Sequence, residues 1–460
     1  MSLTEAAVPR RMAGESGAGA YRSYVNPQWG RMLDILGMNV RYSRCEGPWL
    51  HIDDGERILD FLSGYCVHNL GHNHPAVVAA LQDELAQLGP AMVQSHVPEL
   101  AGLLAEQLCR RAGGGLSKVF FCSSGSEGVE ATIKFARAHT GRTGLVYARG
   151  AFHGLTCGAL SLMNDDFWRS GFGPLLPGNE AVDFGDLRQL EERLASKQFA
   201  AFIVEPIQSE AGVRVPDATY LAGAQALCRK YGSLFVLDEV QTGLYRTGSF
   251  LAAHRYGVEP DIVVLAKALS GGLIPSGAVL MTDAVYASTY DSVQRAIVHT
   301  STYSENSLAM RAGLATLGAL DAEHLGERAE AMGKYLRNQL REALSEFEMV
   351  KEVRGAGLLN GIEFAPPRGL RLRAAFEAFR AIHPGLFGQM LVMRLFREKN
   401  ILTQVCGNNF MVLKAAPPLI VSEEEIDIFV RSVREVVDNI HSSSAFWTEA
   451  LGLARRALNL

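Results

Sequence analysis

The 460-residue sequence lacks the features that mark several large classes of protein. No apolar run approaches the roughly 18 residues that a membrane-spanning helix needs. A net charge of −5 gives no basic surface for nucleic acid or for an anionic membrane. The seven cysteines are odd in number, scattered and without C-x-x-C spacing, which argues against a disulfide framework or a zinc site. We therefore expect a soluble, cytoplasmic protein with small-molecule ligands, no bound metal ion, and no nucleic-acid or membrane partner.

What is present is typical of a large globular protein. Apolar residues make up 48% of the chain and charged residues 20%, which is enough to build a sizeable core. Because 460 residues exceed the size at which a single core stops growing, we expect two domains that share a cleft. The first ~20 residues are small and polar, lack the apolar segment of a signal peptide, and are expected to be flexible.

From about Gly71 to Thr282, short β-rich runs alternate with amphipathic helical patterns. This alternation predicts an α/β domain in which helices flank a mostly parallel sheet. The β-rich runs are 119–122, 145–147, 202–204, 234–237, 262–265 and 278–281. Among the helical patterns, Tyr220–Tyr231 has its apolar residues on one face, and Gly232 is placed as its C-terminal cap.

After about residue 320 the pattern changes to long helices, with one strand-like run at 358–364. Ser422 and Glu425 form a capping box at the start of a last helix. Six apolar residues on that helix form a single stripe, which predicts one buried face. The stripe consists of Ile426, Phe429, Val430, Val433, Val437 and Ile440.

These patterns predict a division of the chain into three parts. Residues 1–70 form an N-terminal segment whose strand-like runs, at 48–52 and 58–61, join the small domain or a partner subunit. The large α/β domain, which holds the site described next, covers residues 71–320. A smaller α+β domain covers residues 321–460.

An acid and a lysine follow two of the β-rich runs. Asp238 ends the run at 234–237, and Lys267 comes just after the run at 262–265. Parallel sheets bind their ligands at the carboxyl ends of the strands, so both side chains are expected in one cleft. A desolvated lysine can lose its proton and condense with a carbonyl cofactor, and an acid can pair with that cofactor's pyridine nitrogen. The alternatives are a turn-forming Asp and a solvated surface Lys.

Ser124 and Glu127 form a second capping box, directly after the run at 119–122. A glycine-relieved turn with free N–H groups at a helix start, here Gly125 and Ser126, is a ready phosphate site. A capped helix without a ligand remains an alternative. The sequence contains no G-x-x-x-x-G-K-[ST] motif, so this is not a nucleotide P-loop.

Further polar and aromatic residues follow other runs. Phe152 and His153 come after 145–147, where a flat ring could stack on an aromatic cofactor or simply pack in the core. Glu205 and Glu210 lie near the predicted cleft, with solvated carboxylates as the alternative. The stretch 299–306 is rich in hydroxyl groups, which suits either phosphate contacts or a capped turn.

Taken together and in order, seven segments resemble class III aminotransferases of the type I pyridoxal-phosphate fold. Within that family they resemble the branch that contains ornithine and putrescine aminotransferases. The resemblance covers nearly the whole chain, from about residue 42 to residue 440. The segments are 71–75, 124–127, 152–154, 205–208, 238–243, 266–272 and 416–419.

The resemblance implies a role for each matching residue. Lys267 would be the Schiff-base lysine that also shuttles the proton, and Asp238 would keep the pyridine nitrogen protonated. Such proteins are homodimers with shared active sites, so Thr302, with Ser301 beside it, would reach the phosphate of the neighbouring subunit. The residues implied to bind the cofactor are Ser124, Gly125, Ser126, Phe152, His153, Glu205, Asp238, Gln241, Lys267, Ser301 and Thr302.

The chain departs from the family where substrates bind. Relatives that use α-amino acids commonly have an arginine after the F-x-G motif, and here that residue is Leu155. A second arginine precedes the A-P-P-L segment, where this chain has Lys414, and its family partner corresponds to Glu210. A lysine keeps the charge but loses the bidentate fork. A Glu210–Lys414 gate that opens for a keto acid is one interpretation.

Trp49, Tyr65 and Cys66 match positions that line the substrate pocket in relatives. With Leu155 they predict an apolar pocket, which favours an ω-amine donor, or an aldehyde or ketone acceptor, over ornithine. The alternative is that these residues pack beneath the cofactor and do not determine the substrate.

The sequence therefore predicts a pyridoxal-phosphate-dependent aminotransferase with two half-reactions, a small-molecule amino donor and a carbonyl acceptor. Two alternatives stay open. One is a different reaction on the same cofactor, such as that of a racemase, decarboxylase or aminomutase, and the other is a non-catalytic, regulatory member of the family.

Overall fold

A computed structural model describes residues 15–53, 55–93, 95–381 and 385–442. The expected flexibility of the first ~20 residues falls largely on residues 1–14, outside these ranges, whereas residues 15–20 begin a helix. The helices are α1 (Glu15–Tyr24), α2 (Pro27–Leu36), α3 (Ser63–Cys66), α4 (Pro75–Ala86), α5 (Glu99–Ala112), α6 (Gly125–Thr140), α7 (Cys157–Leu160), α8 (Asp166–Arg169), α9 (Leu187–Leu194), α10 (Tyr220–Tyr231), α11 (Ala252–Tyr256), α12 (Asp283–Ala287), α13 (Ser307–Ala322), α14 (Leu325–Leu344), α15 (Leu370–Arg380), α16 (Leu386–Lys399) and α17 (Glu423–Ser442).

The strands form three sheets. They are β1 (Tyr42–Glu46), β2 (Trp49–Ile52), β3 (Arg57–Asp60), β4 (Leu116–Cys122), β5 (Gly144–Ala148), β6 (Asn179–Val182), β7 (Phe199–Val204), β8 (Leu234–Asp238), β9 (Ile262–Leu265), β10 (Gly277–Thr282), β11 (Val350–Ala356), β12 (Leu359–Phe364), β13 (Ile401–Leu402), β14 (Gln404–Cys406) and β15 (Asn409–Ala415).

The largest sheet has seven strands in the order β4-β10-β9-β8-β7-β5-β6. Only β10 runs against its neighbours, β4 and β9, so the sheet is mostly parallel. Each of the six predicted β-rich runs lies within one of its strands, which confirms the predicted α/β fold. Every residue of β5, β7, β8 and β9 is buried, as expected for strands covered by helices on both faces.

The helix predictions on this sheet are confirmed at α10. Its buried residues lie on one face, and Gly232 caps the end with φ of 66°, a conformation that favours glycine. Strand β6 escaped the sequence analysis because it is a short edge strand with a partly exposed, polar composition.

The two smaller sheets combine distant parts of the chain. One has the order β1-β2-β3-β13, so the N-terminal strands pair with residues 401–402 of the same chain. The other has the order β11-β12-β15-β14. The sequence analysis predicted one strand in this region, at 358–364, and missed the other three. The domain boundaries at 70/71 and 320/321 stay predictions.

Helix α17 closes this part of the molecule. The Ser422 and Glu425 side chains exchange hydrogen bonds with each other's backbone N–H groups, which confirms the predicted capping box. All six residues of the predicted stripe are buried. Within the described ranges, no helix combines the length and apolar character needed to cross a bilayer.

Candidate active site

A cavity of about 620 Å³ opens where β8 and β9 end and α6 begins. This is the edge of a mostly parallel sheet at which ligands bind. The cavity brings together ten of the residues that the sequence analysis selected. They are Ser124, Gly125, Ser126, Phe152, His153, Leu155, Glu205, Asp238, Gln241 and Lys267.

Lys267 begins a short 3₁₀ turn, Lys267–Ser270, directly after β9 and Ala266. Its φ of 48° lies in the left-handed region, which costs any residue with a Cβ about 1–2 kcal/mol. The side chain enters the cavity, and burial lowers the pKa of its amine. A lowered pKa makes the neutral amine, which can act as a nucleophile or base, more abundant.

Asp238 and His153 form a buried pair at the floor of the cavity. Nδ1 of His153 lies 2.8 Å from Oδ2 of Asp238, while Oδ1 accepts a hydrogen bond of 3.1 Å from the N–H of Val240. These contacts fix the orientation of the carboxylate. Nε2 of His153 is buried and has no partner among the described residues.

Glu205 is a second buried acid in the cavity wall. It accepts a hydrogen bond of 3.3 Å from the N–H of Phe152. Burial and the nearby Asp238 raise the pKa of the Glu205 carboxyl well above its usual value, which favours the neutral acid.

The start of α6 lines another part of the cavity. Ser124 caps the helix by accepting a hydrogen bond of 3.2 Å from the N–H of Glu127, so the predicted cap is confirmed. The Glu127 side chain reaches back to the N–H of Ser123, at 2.7 Å. Gly154 approaches this turn so closely that a Cβ atom there would lie 2.3 Å from Oγ of Ser126.

These groups fit pyridoxal phosphate. The helix start at Gly125 offers N–H groups to a phosphate, Asp238 offers a carboxylate to a ring nitrogen, and Lys267 offers an amine to an aldehyde. Phe152 supplies an aromatic face. The buried Oε1 of Gln241 has no partner within the described ranges and can accept a hydrogen bond from a ring hydroxyl.

A buried ion pair lies beside the cavity. Nζ of Lys414, which is 0% exposed, donates to Oε1 of Glu210 at 2.5 Å. The same oxygen accepts from Nε2 of Gln241 at 3.1 Å, and Oε2 accepts from the N–H of Gly407 at 2.9 Å. Burial alone would raise the pKa of Glu210, but Lys414, the N–H of Gly407 and Lys267 hold it at about 2. Glu210 in turn raises the pKa of Lys414.

Tyr65 lies next to this pair, with its ring centre 5.3 Å from Nζ of Lys414. Tyr65, Glu210 and Lys414 lie behind the residues that line the cavity rather than among them. Trp49 does not line the cavity either: its indole N–H donates to Glu425 at 2.7 Å, and the Arg57 guanidinium lies 3.9 Å above its ring. The predicted substrate contact of Trp49 is therefore not seen within one chain.

Ser301 and Thr302 also lie away from the cavity. They line a separate cavity of about 600 Å³ together with His96, Phe120 and Arg311. The resemblance had assigned both residues to the site of a neighbouring subunit, and that assignment stays a prediction.

The sequence analysis missed Trp168. Its ring packs edge-on against Phe152 at 5.3 Å between centres, and its indole N–H donates to Oδ1 of Asn408 at 2.8 Å. It thereby connects the cavity wall to the loop between β14 and β15. Helix α8, which contains Trp168, is only four residues long and carries no periodic signal, so the sequence offered no means of finding this residue.

The comparisons with known proteins agree with this geometry. The family model Aminotransferase class-III matches residues 35–437. Putrescine aminotransferase of Pectobacterium atrosepticum is 36% identical, over 92% of this chain and 88% of that protein. Aminotransferase PigE of a Serratia species is 34% identical, and the match covers 96% of this chain but only 55% of PigE, so the chain spans about half of that relative.

Solved structures show the same likeness. An ornithine aminotransferase from Toxoplasma gondii superposes with a TM-score of 0.79 at 29% identity, covering 93% of this chain and 99% of that one. A PLP-bound amine transaminase from an uncultivated Pseudomonas species gives 0.77 at 29% identity, covering 87% of this chain and 95% of that one.

Proposed function

The chain belongs to the class III aminotransferase family, and on that premise we propose that it moves an amino group from an ω-amine to an aldehyde or ketone. It is a pyridoxal-phosphate-dependent aminotransferase, since that cofactor belongs to the family and its solved relatives bind it. The observation that carries the substrate class is Leu155, an apolar side chain in the cavity wall where a carboxylate-binding arginine would serve an α-amino acid.

The cofactor would be held by residues from three strand ends. Ser124, Gly125 and Ser126 would bind its phosphate, Phe152 would cover one face of its ring, and Asp238 would pair with its ring nitrogen. When bound, pyridoxal phosphate supplies an electron-accepting ring that stabilises negative charge on the substrate carbon.

The buried acids have different tasks. Asp238, oriented by His153, supplies a fixed negative charge for the ring nitrogen. Glu205 adds no second full charge, since its raised pKa favours the neutral carboxyl. The floor of the cavity can therefore hold one cationic ring nitrogen without an excess of negative charge.

Lys267 is the group that reacts and transfers the proton. Its amine would bind the cofactor and later be released when the donor amine takes its place. Because burial lowers its pKa, the released Nζ would accept a proton from the carbon that carries the donor's amino group. It would then pass that proton to a carbon of the cofactor. Lys267, the first residue of the 3₁₀ turn and itself in the left-handed region, lines the cavity.

The ion pair supports the choice of an uncharged acceptor. Glu210 already receives hydrogen bonds from Lys414, Gln241 and Gly407, so releasing Lys414 to bind a substrate carboxylate would leave a buried carboxylate with fewer donors. An aldehyde or ketone requires no such release. Tyr65 and Lys414 would instead border the part of the pocket that the substrate's side chain occupies.

The proposed enzyme is a homodimer with shared sites. Ser301 and Thr302 lie outside their own chain's main cavity, so a phosphate contact requires a second copy. The surface around them exposes large apolar side chains, which suits an interface. These are Leu88, Val93, Val97, Ile297, Val298 and Tyr303. A cytoplasmic location and the three-part division of the chain belong to the same proposal.

Amino transfer needs two substrates, which separates it from the alternatives. Racemase, decarboxylase or aminomutase chemistry would convert an amino acid without any acceptor, and a regulatory member would convert no substrate. Purified protein loaded with pyridoxal phosphate should convert about one putrescine per active site without an acceptor, should turn over repeatedly only when a carbonyl acceptor such as butanal is supplied, and should release one butylamine per aldehyde consumed. Turnover of the amine without an acceptor, or no turnover with any donor, would overturn the proposal.

A further inference from the structure

One buried charge has no part in the chemistry proposed above. Arg246 is 0% exposed, the largest side chain of the described residues to be so completely enclosed. The oxygens that accept its hydrogen bonds are all neutral. Burial disfavours the charge of this guanidinium and the nearby Asp60 offsets that cost only in part, so packing alone would be served better by an apolar side chain.

The guanidinium joins three segments that are far apart in the sequence. One nitrogen donates to the carbonyl oxygens of Pro417, at 2.5 Å, and Leu358, at 3.1 Å. The other donates to Oδ1 of Asn69 at 2.6 Å and makes a longer contact of 3.5 Å with Oγ of Ser63. A planar fork can make these bonds in several directions at once, which a single ammonium cannot do.

Two of these segments carry side chains of the proposed substrate pocket. Pro417 follows Lys414 by three residues, and the segment from Ser63 to Asn69 carries Tyr65. Residues 63–66 all have left-handed φ angles, of 48°, 59°, 60° and 69°. Three of the four have a Cβ atom, so this turn is strained and must be held by its surroundings.

The surroundings hold the turn on two sides. Asp60, which is buried, accepts hydrogen bonds of 2.8 Å from the N–H groups of both Leu62 and Ser63. Oγ of Ser63 donates to the carbonyl oxygen of Ala416. On the second side, Arg246 donates hydrogen bonds to both Asn69 and Pro417 and so connects them.

We propose that Arg246 is a positioning residue that fixes Tyr65 against Lys414 by tying the left-handed turn to the segment after β15. This inference rests on the proposed substrate-binding roles of Tyr65 and Lys414. Arg246 itself touches neither substrate nor cofactor; it acts through the two segments that it joins.

The test compares two buried arginines. Arg246→Lys should speed hydrogen exchange across residues 62–69 by at least about 10-fold. It should also raise KM for putrescine and for butanal about 5-fold or more while kcat changes less than about 2-fold. Arg337→Lys is the control, because Arg337 is also buried and donates to Gly357 and Asn360, on either side of Leu358. It donates neither to the turn that carries Tyr65 nor to Pro417. Arg337→Lys should lower the melting temperature without either effect.

Unchanged exchange and KM in Arg246→Lys, or equal changes in Arg337→Lys, would reduce Arg246 to a structural residue. If Arg246→Lys does not fold, Asn69→Ala removes one acceptor of the guanidinium and should give the same effects at smaller size. Hydrogen exchange is measured on the protein without substrate and does not depend on turnover. A wild-type protein that does not aminate butanal would therefore refute the proposed function while the exchange comparison still decides this inference.

Discussion

Nζ of Lys414 lies 2.5 Å from Oε1 of Glu210, and both side chains are buried beside the cavity that holds Lys267. The pair stands where a guanidinium would be expected in relatives that bind carboxylates. Its consequence for substrate choice is that the charge of Lys414 is already neutralised within the protein.

This pair should make stability depend on pH in the acid range. The folded-state pKa of Glu210, about 2, is below its usual 4.5. The stabilisation is therefore fully present above pH 4.5 and is lost as the pH falls toward 2. Glu210→Gln should lose on the order of 3 kcal/mol at pH 6 and much less near pH 3, as measured by urea unfolding.

The control for that prediction is Glu346→Gln. Glu346 forms an exposed pair with Arg434, also at 2.5 Å, and exposed pairs contribute at most about 1 kcal/mol. An equal loss of unfolding free energy in both variants would show that the buried Glu210–Lys414 pair stabilises the protein no more than an exposed pair does.

Replacing Lys267 should abolish the reaction. Lys267→Ala removes the nucleophile and the proton carrier together, so kcat should fall by at least about 10³-fold. The visible absorbance of covalently bound cofactor should disappear as well. Retention of either full turnover or that absorbance would contradict the assignment of Lys267.

Restoring an arginine should change the acceptor. Leu155→Arg places a guanidinium in the cavity wall, and kcat/KM for 2-oxoglutarate should rise by about 10-fold or more relative to butanal. Leu370→Arg, at a site that is 88% exposed and does not line the cavity, should leave the ratio unchanged. If the Leu155→Arg enzyme kept the wild-type ratio, Leu155 would not determine which acceptor is used.

Shared sites predict complementation between inactive subunits. Lys267→Ala and Thr302→Glu homodimers should both be inactive, but co-expressed subunits should recover about a quarter of wild-type activity, because half the dimers then contain one native site. Co-expression of Lys267→Ala with Asp238→Asn is the control. Lys267 and Asp238 line the same cavity of a single chain. Every chain in this mixture therefore has one defect in its own cavity, and no native site forms. Equal recovery in the two mixtures would contradict the sharing of Thr302.

The sequence predicted the central sheet well, and the reason is physical. Strands such as β8 and β9 are buried on both faces, so each appears as a continuous apolar run, and the acid or lysine that follows marks the ligand edge. The capping boxes at Ser124 and Ser422 were found because their spacing is local.

What the sequence could not give depends on distant contacts or on backbone strain. The contact between Glu210 and Lys414, which lie 204 positions apart, was expected only from the family resemblance and follows from no local pattern. Tyr65 and Lys267 have left-handed φ angles, which a sequence can indicate only where the residue is glycine and not where it carries a Cβ atom. Trp168 and Arg246 act through segments remote from them in sequence, so no local pattern distinguishes either one.

The proposed enzyme transfers amino groups from amines in preference to α-amino acids. The most direct measurement mixes the pyridoxal-phosphate form with ornithine, putrescine, lysine, 4-aminobutyrate, glutamate and alanine in turn, and follows the loss of the cofactor's visible absorbance in single half-reactions. We predict fast conversion by putrescine and slow or no conversion by glutamate and alanine. Fast conversion by ornithine or glutamate, with none by putrescine, would contradict the account.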